Sequence, residues 1–168
     1  MLPTTQSKET ISEPTQPAAR QPANLEAGIE IASSNNTIGG TTSAHRNIIS
    51  GNSWEGIDLY GTSANYNTIT NNYIGLNAAG TAALANSEIG IDVEAGASHN
   101  TIGGGASSLG NVISGNTQFG VRITDSTTSN NTIQYNYIGT NAAGTSAASN
   151  GSFGVVVDYA AVSTTIST

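Results

Sequence analysis

Shifted by 64 positions, this chain falls on itself. Asn36-Thr37-Ile38-Gly39-Gly40 lands on Asn100-Thr101-Ile102-Gly103-Gly104, and Asn47-Ile48-Ile49-Ser50-Gly51-Asn52 lands on Asn111 to Asn116. The same shift lays Asn67-Thr68-Ile69 on Asn131-Thr132-Ile133, Asn72-Tyr73-Ile74-Gly75 on Asn136 to Gly139, and the stretch Asn77 to Asn86 on Asn141 to Asn150. Within this period runs a shorter beat, a Gly followed by two apolar residues around a variable one. It occurs at Gly28-Ile29-Glu30-Ile31, Gly56-Ile57-Asp58-Leu59, Gly90-Ile91-Asp92-Val93, Gly120-Val121-Arg122-Ile123 and Gly154-Val155-Val156-Val157. The glycines stand 28, 34, 30 and 34 residues apart, so the long period is one unit of about thirty residues plus one of 34.

Each unit carries three short runs in which apolar residues alternate with others, punctuated by Gly, Asn and Ser. That is the signature of strands and turns, and no helical period is present. A unit this small cannot bury its apolar face alone, so successive units must stack. The reading is all-β: a right-handed, single-stranded parallel β-helix of about five coils with three short strands per coil. Period-two geometry turns Ile57, Leu59, Ile91, Val93, Val121 and Ile123 inward. Ile38, Ile69, Ile102 and Ile133 make a second inward column, and Ile49, Ile74, Ile113 and Ile138 a third. The Asn that opens each run tolerates left-handed turn geometry and, stacked in register, can bond its copies as an amide ladder. One ladder is Asn36, Asn67, Asn100 and Asn131. The other is Asn47, Asn72, Asn111 and Asn136, with Gly51, Gly75, Gly115 and Gly139 at the bends that follow.

Composition narrows the function. A net charge of −7 with only 4 Lys plus Arg leaves no basic patch for a phosphate backbone, so no nucleic-acid partner is expected. The absence of Cys removes disulfides, thiol nucleophiles and zinc-thiolate sites. His45 and His99 stand alone in turns without a second ligand nearby and read as solvent-facing turn residues. No apolar run approaches the ~18 residues of a membrane span, so no membrane insertion is expected. The Lys-poor, Cys-free, Asn/Thr/Gly-rich composition points to an extracellular or cell-surface location.

All four prolines, Pro3, Pro14, Pro17 and Pro22, lie in the first 22 residues. Residues 1–9 read as an extended or disordered segment and residues 10–168 as the β-helix, with 10–27 a degenerate first coil whose prolines replace the long loop. Thr164-Thr165-Ile166 repeats Asn100-Thr101-Ile102, so the sequence stops inside a coil, and neither end carries a recognisable cap. Two expectations follow: head-to-tail completion by another copy, which would build filaments, or neighbouring β-helix repeats in a longer array.

With these residues in place, the sequence resembles right-handed parallel β-helix repeat proteins of the pectate-lyase-like superfamily. Within it, the likeness is to bacterial surface arrays with recurrent NTIGG, NVISGN and NYIGTN-AAGT phrases, which stand here at Asn100–Gly104, Asn111–Asn116 and Asn136–Thr145. The resemblance spans roughly Ile11 to Ile166 and implies the fold. It implies no single activity, because that superfamily includes lyases, hydrolases, epimerases, adhesins and fibre proteins. The function expected is a structural or adhesive module of an extracellular surface or fibre protein, non-catalytic and self-associating. The alternative is a β-helix that binds or degrades polysaccharide, as a lyase or glycoside hydrolase.

Chemistry has one natural location. The outward positions of the Gly-apolar runs read Glu30, Asp58, Asp92, Arg122, Val156 in one column and Ala32, Tyr60, Glu94, Thr124, Asp158 in the next. Rungs lie ~4.8 Å apart, so Asp58, Asp92 and Glu94 form an acidic patch beside Arg122 and Tyr60. Asp58, Asp92, Glu94 and Arg122 are the candidate catalytic residues, since paired carboxyls ~5 to 9 Å apart serve glycoside hydrolysis. The resemblance implies a Ca²⁺ on Asp58, Asp92 and Glu94, as in calcium-dependent lyases where a basic residue abstracts a proton. The only Lys is Lys8 and no His joins the patch, a departure that counts against lyase chemistry. The plain alternative is a solvated acidic face relieved by Arg122, with no cofactor. Tyr60, together with Tyr73 and Tyr137 of the outward column Ile48, Tyr73, Val112, Tyr137, is the candidate sugar-binding set. The column Thr37, Thr68, Thr101, Thr132 reads as β-propensity.

Overall fold

The computed structural model describes residues 26–167, and they form a parallel β-solenoid. The first coil comprises β1 (Ile29–Ile31), β2 (Thr37–Gly39) and β3 (Ile48–Ile49). The second comprises β4 (Ile57–Tyr60), β5 (Thr68–Thr70) and β6 (Tyr73–Ile74). The third comprises β7 (Ile91–Glu94), β8 (Thr101–Gly103) and β9 (Val112–Ile113). The fourth comprises β10 (Val121–Ile123), β11 (Thr132–Gln134) and β12 (Tyr137–Ile138), and β13 (Val155–Val157) and β14 (Thr165–Ser167) begin a fifth. The described turns are thus about four, slightly fewer than anticipated. The expected segment 1–9 and most of the degenerate coil at 10–27 lie outside the described residues.

Three sheets run the length of the stack. Sheet A is β1-β4-β7-β10-β13, sheet B is β2-β5-β8-β11-β14 and sheet C is β3-β6-β9-β12. Each strand pairs in parallel with its copy one coil away, so Ile38, Ile69, Ile102, Ile133 and Ile166 are direct Cα partners. The three aliphatic columns close into one dry core in which Ile49, Ile57, Leu59, Ile69, Ile74, Ile91, Ile102 and Ile113 are essentially fully buried. Burial of each such side chain stabilises the fold by about 1.5–3 kcal/mol. Ile138, on the fourth coil, is only half-buried.

The amide ladders hold the coils in register. Along the first, each Oδ1 accepts the main-chain N–H and the Nδ2 of the preceding asparagine: Asn36 to Asn67 at 2.8 and 3.0 Å, Asn67 to Asn100 at 2.9 and 3.0 Å, Asn100 to Asn131 at 2.9 and 3.1 Å. The second ladder, Asn47 to Asn136, repeats the pattern at 2.9–3.2 Å. The remaining Nδ2 hydrogen returns to a carbonyl of the previous coil, as in Asn72 Nδ2 to Ile38 O at 3.0 Å and Asn100 Nδ2 to Ala64 O at 2.8 Å. An asparagine so placed makes all four of the hydrogen bonds its side chain can form. The left-handed backbone falls one residue earlier than expected, on Asn35, Tyr66, His99 and Asn130 at φ 57 to 63°. The corner is turned there, which leaves the ladder asparagine free to point along the stack.

The structure also explains why the period is two coils. Coils one and three carry their extra residues between sheets B and C, each with a single 3₁₀ turn, Ser43–His45 and Ser107–Leu109. Coils two and four carry theirs between sheets C and A, as the loops 77–86 and 141–150. Each loop is closed by an antiparallel bridge, Leu76 to Ala83 and Thr140 to Ala147. A long loop occupies the height of two coils, and its neighbour must be short. Loop 77–86 reaches back so that Leu84 O accepts from Gly51 N at 3.2 Å, and forward so that Gly80 O accepts from Ala142 N at 2.9 Å.

Candidate functional site

The outward column of sheet A is assembled as the register requires: Glu30 is partner to Asp58, Asp58 to Asp92, Asp92 to Arg122, and Tyr60 to Glu94. Glycine before each strand and inward aliphatics on either side of the variable position fix these side chains on one face. Arg122 grips Asp92 with two parallel bonds, Nε to Oδ1 at 3.0 Å and Nη2 to Oδ2. The Asp92 side chain is only 3% exposed, and its Oδ1 also accepts the Val93 N–H at 3.0 Å. The same Nη2 stands 3.6 Å from Glu94 Oε2.

The electrostatics follow from that geometry. Burial pushes the Asp92 carboxyl up from the ordinary carboxylate range, against the opposing hydrogen bond and charge of Arg122. Burial and then the Asp92 charge raise Glu94 as well. Among the described residues no cation is paired with Asp58. Burial first, then Asp92, Glu94, Glu55 and Glu30, lift it from 3.8 to about 7, and its Oδ1 is buried without a hydrogen-bond partner. Just before β4, Glu55 is raised by burial, partly offset by its own backbone bond, and further by Glu88.

A carboxyl held near neutrality beside an ionised one is the electrostatic pattern of a general acid and its partner. Here the partner is engaged on both oxygens by Arg122, so neither is presented to a sugar or a water. A concavity of about 170 Å³ lies against β1 and Ile38, and none of Asp58, Asp92 or Glu94 lines it. Calcium requires six to eight oxygen ligands. Among the described residues no group of three or more His, Asp or Glu side chains is arranged to hold a metal ion. With Asp92 committed to Arg122, the residues here do not fit one.

The three tyrosines are not brought together. Tyr60 lies on sheet A beside Glu94 and is 50% exposed, whereas Tyr73 and Tyr137 lie on sheet C, each in register with Val112. Tyr73 is occupied: the Arg46 guanidinium sits 4.2 Å from its ring centroid, and Arg46 Nη1 donates to its hydroxyl at 3.0 Å. Gly80 of the long loop packs on the same ring, since a Cβ there would lie 2.8 Å from it. Val112, between the two tyrosines, is 5% exposed. Tyr137 keeps an open face and contacts Gly144 more loosely.

A third amide ladder was not foreseen from the sequence. Asn52, Asn86, Asn116 and Asn150 link amide to amide along the stack, with Asn52 N and Nδ2 to Asn86 Oδ1 at 3.2 and 2.8 Å, Asn86 Nδ2 to Asn116 Oδ1 at 2.8 Å, and Asn116 N and Nδ2 to Asn150 Oδ1 both at 3.1 Å. Its signal was present, since Asn52 matches Asn116 and Asn86 matches Asn150 under the 64-residue shift. An exposed Tyr66 to His99 stack, with ring centroids 4.9 Å apart, was likewise unanticipated.

The chain matches no known family model, no curated protein and no solved structure. Its function has to be argued from the arrangement itself. In that arrangement the repeated polar residues face one another along the axis, and the ionisable ones are spread over an open sheet.

Proposed function

We propose that this chain is a non-catalytic structural or adhesive β-helix module of an extracellular surface or fibre protein, related to the pectate-lyase-like β-helix repeats that its phrases resemble. The observation that carries the reading is the Arg122 clamp on Asp92. The one residue pair at the centre of the candidate patch neutralises itself, which suits a scaffold and deprives an acid–base mechanism of its second carboxylate. The partners this reading implies are further β-helical coils, from another copy or a neighbouring repeat, continuing the three parallel sheets. Sheet edges of this kind accept another strand readily because each main-chain group repeats at one spacing.

The polysaccharide reading keeps one specific support: Tyr60 and Trp54 are each half exposed near the acids Glu94 and Glu55. A panel of acidic and neutral glycans, incubated with the protein with and without added Ca²⁺, separates the two. The structural reading expects no turnover under any condition. Turnover abolished by Asp92→Asn would overturn it, and retention of a glycan without turnover would replace it with a binding module.

A further inference from the structure

The outward column of sheet A is electrically lopsided. Along the axis it runs Glu30, Asp58, Asp92, Arg122, Val156, each in direct register with the next. Three carboxyls are followed by a single guanidinium, and that guanidinium is bonded to the third of them. On the other flank of Asp58, β1 offers only Glu30. The Asp58 Oδ1 is enclosed and unpartnered.

We propose that Asp58 is a proton-held latch between the first coil and the second: protonated, it keeps β1 zipped to β4, and ionised, it loosens β1 to β3 while the coils behind Arg122 stay closed. The groups facing it are Glu30 from β1, Asp92 and Glu94 from β7, and Glu55 from the turn that enters β4. Arg122 on β10 stands beyond Asp92 and Glu94, one rung further away. Ionised Asp58 would therefore place like charges on adjacent rungs, about 5 Å apart in a strand ladder. Swinging β1 away lets water reach the enclosed oxygen and relieves the repulsion from Glu30, the least of the four. The seam at β1 is the weaker one, because β1 pairs with β4 at three positions where β7 pairs at four. The third and fourth coils gain nothing by opening, since separating β7 from β10 would strip Asp92 of its cation.

The pH range follows from burial and from those carboxylates, which set the Asp58 titration at about 7 in the fold against 3.8 in the open chain. The folded state binds the proton more tightly. The latch therefore contributes fully below the open-chain value and is lost as pH rises through the folded one. The device is independent of what the module adheres to.

Hydrogen exchange followed by mass spectrometry, with each rate divided by the intrinsic rate at that pH, tests it. Between about pH 5.5 and about pH 8.5, protection across residues 29–49 should fall about tenfold or more, while residues 91–138 hold theirs. Asp58→Asn should keep the first coil protected at both, and Glu30→Lys, which places a cation one rung from Asp58, should do the same. Equal protection of the first coil at both pH values would overturn the proposal, as would loosening spread evenly over all coils. If Asp58→Asn fails to fold, Glu30→Lys decides, and undiminished loosening in that variant rejects the latch.

Discussion

An asparagine in one of the amide ladders is a different residue from an asparagine elsewhere on this chain. Asn100 receives two bonds from Asn67, gives one to Asn131 and one to Ala64 O, and is 1% exposed. Asn130, at the same corner one coil along, is exposed, and its Nδ2 donates to Ser129 Oγ at 3.2 Å. Removing one partner of a buried hydrogen bond leaves the other at a penalty of about 1–3 kcal/mol. Asn100→Ala strands three such groups, so the expected loss is about 3 kcal/mol or more, read as the shift in denaturant midpoint. Against it stands about 1 kcal/mol for Asn130→Ala, which gives up one exposed bond and puts alanine at a left-handed φ of 57°. The Arg122 clamp makes a second contrast. Arg122→Leu abandons a buried carboxylate and should destabilise by about 3 kcal/mol at neutral pH, whereas Asp92→Leu combined with Arg122→Leu should recover most of that. A double-mutant cycle by chemical denaturation measures both. These residue roles were partly legible. The order Glu30, Asp58, Asp92, Arg122 is visible in the repeat, but whether Arg122 would serve the whole patch or one carboxyl depends on rotamer and depth. The period does not encode those.

At the scale of an element, each strand is too short to be stable alone, and the corners carry as much specification as the strands. Gly103 shows it: its φ is 108°, and a Cβ there would lie 1.8 Å from the Gln134 carbonyl oxygen of the next coil. Gly105, two residues on, has open space around it. Gly103→Ala should therefore lower the thermal midpoint by many degrees or prevent folding, while Gly105→Ala leaves it nearly unchanged, as followed by circular dichroism on heating. The inward isoleucines and the first two ladders could be read in advance because a stacked column turns a sequence repeat directly into a spatial one. The third ladder escaped because Asn52 and Asn86 sit in dissimilar phrases, so that each is matched only two coils away. The covering of Tyr73 by Arg46 and Gly80 escaped for another reason. A loop's direction of return is set by the short connection of the coil beside it, which lies in a different part of the period.

As a whole molecule the solenoid is held mainly by contact between neighbouring coils, with the loops of coils two and four touching at Gly80 and Ala142, so its stability is largely a sum of coil terms and interfaces between them. The alternation of short and long coils then has a mechanical meaning. Held at its two ends and stretched, such a rod cannot yield everywhere at once, because the three ladders fasten every coil to the next in nearly the same way. It should unwind one turn at a time, and the contour released each time is set by how many residues that turn contains. At about 3.3–3.6 Å per extended residue, the two kinds of coil would lengthen the tether by roughly 100 and 115 Å. A single-molecule force trace is therefore expected to alternate between two step sizes, with the long loops of coils two and four written into it as the larger step. Uniform steps of roughly 210–230 Å would mean that the paired coils, and not the single ones, are the units that give way, and a single collapse would make the whole rod the unit.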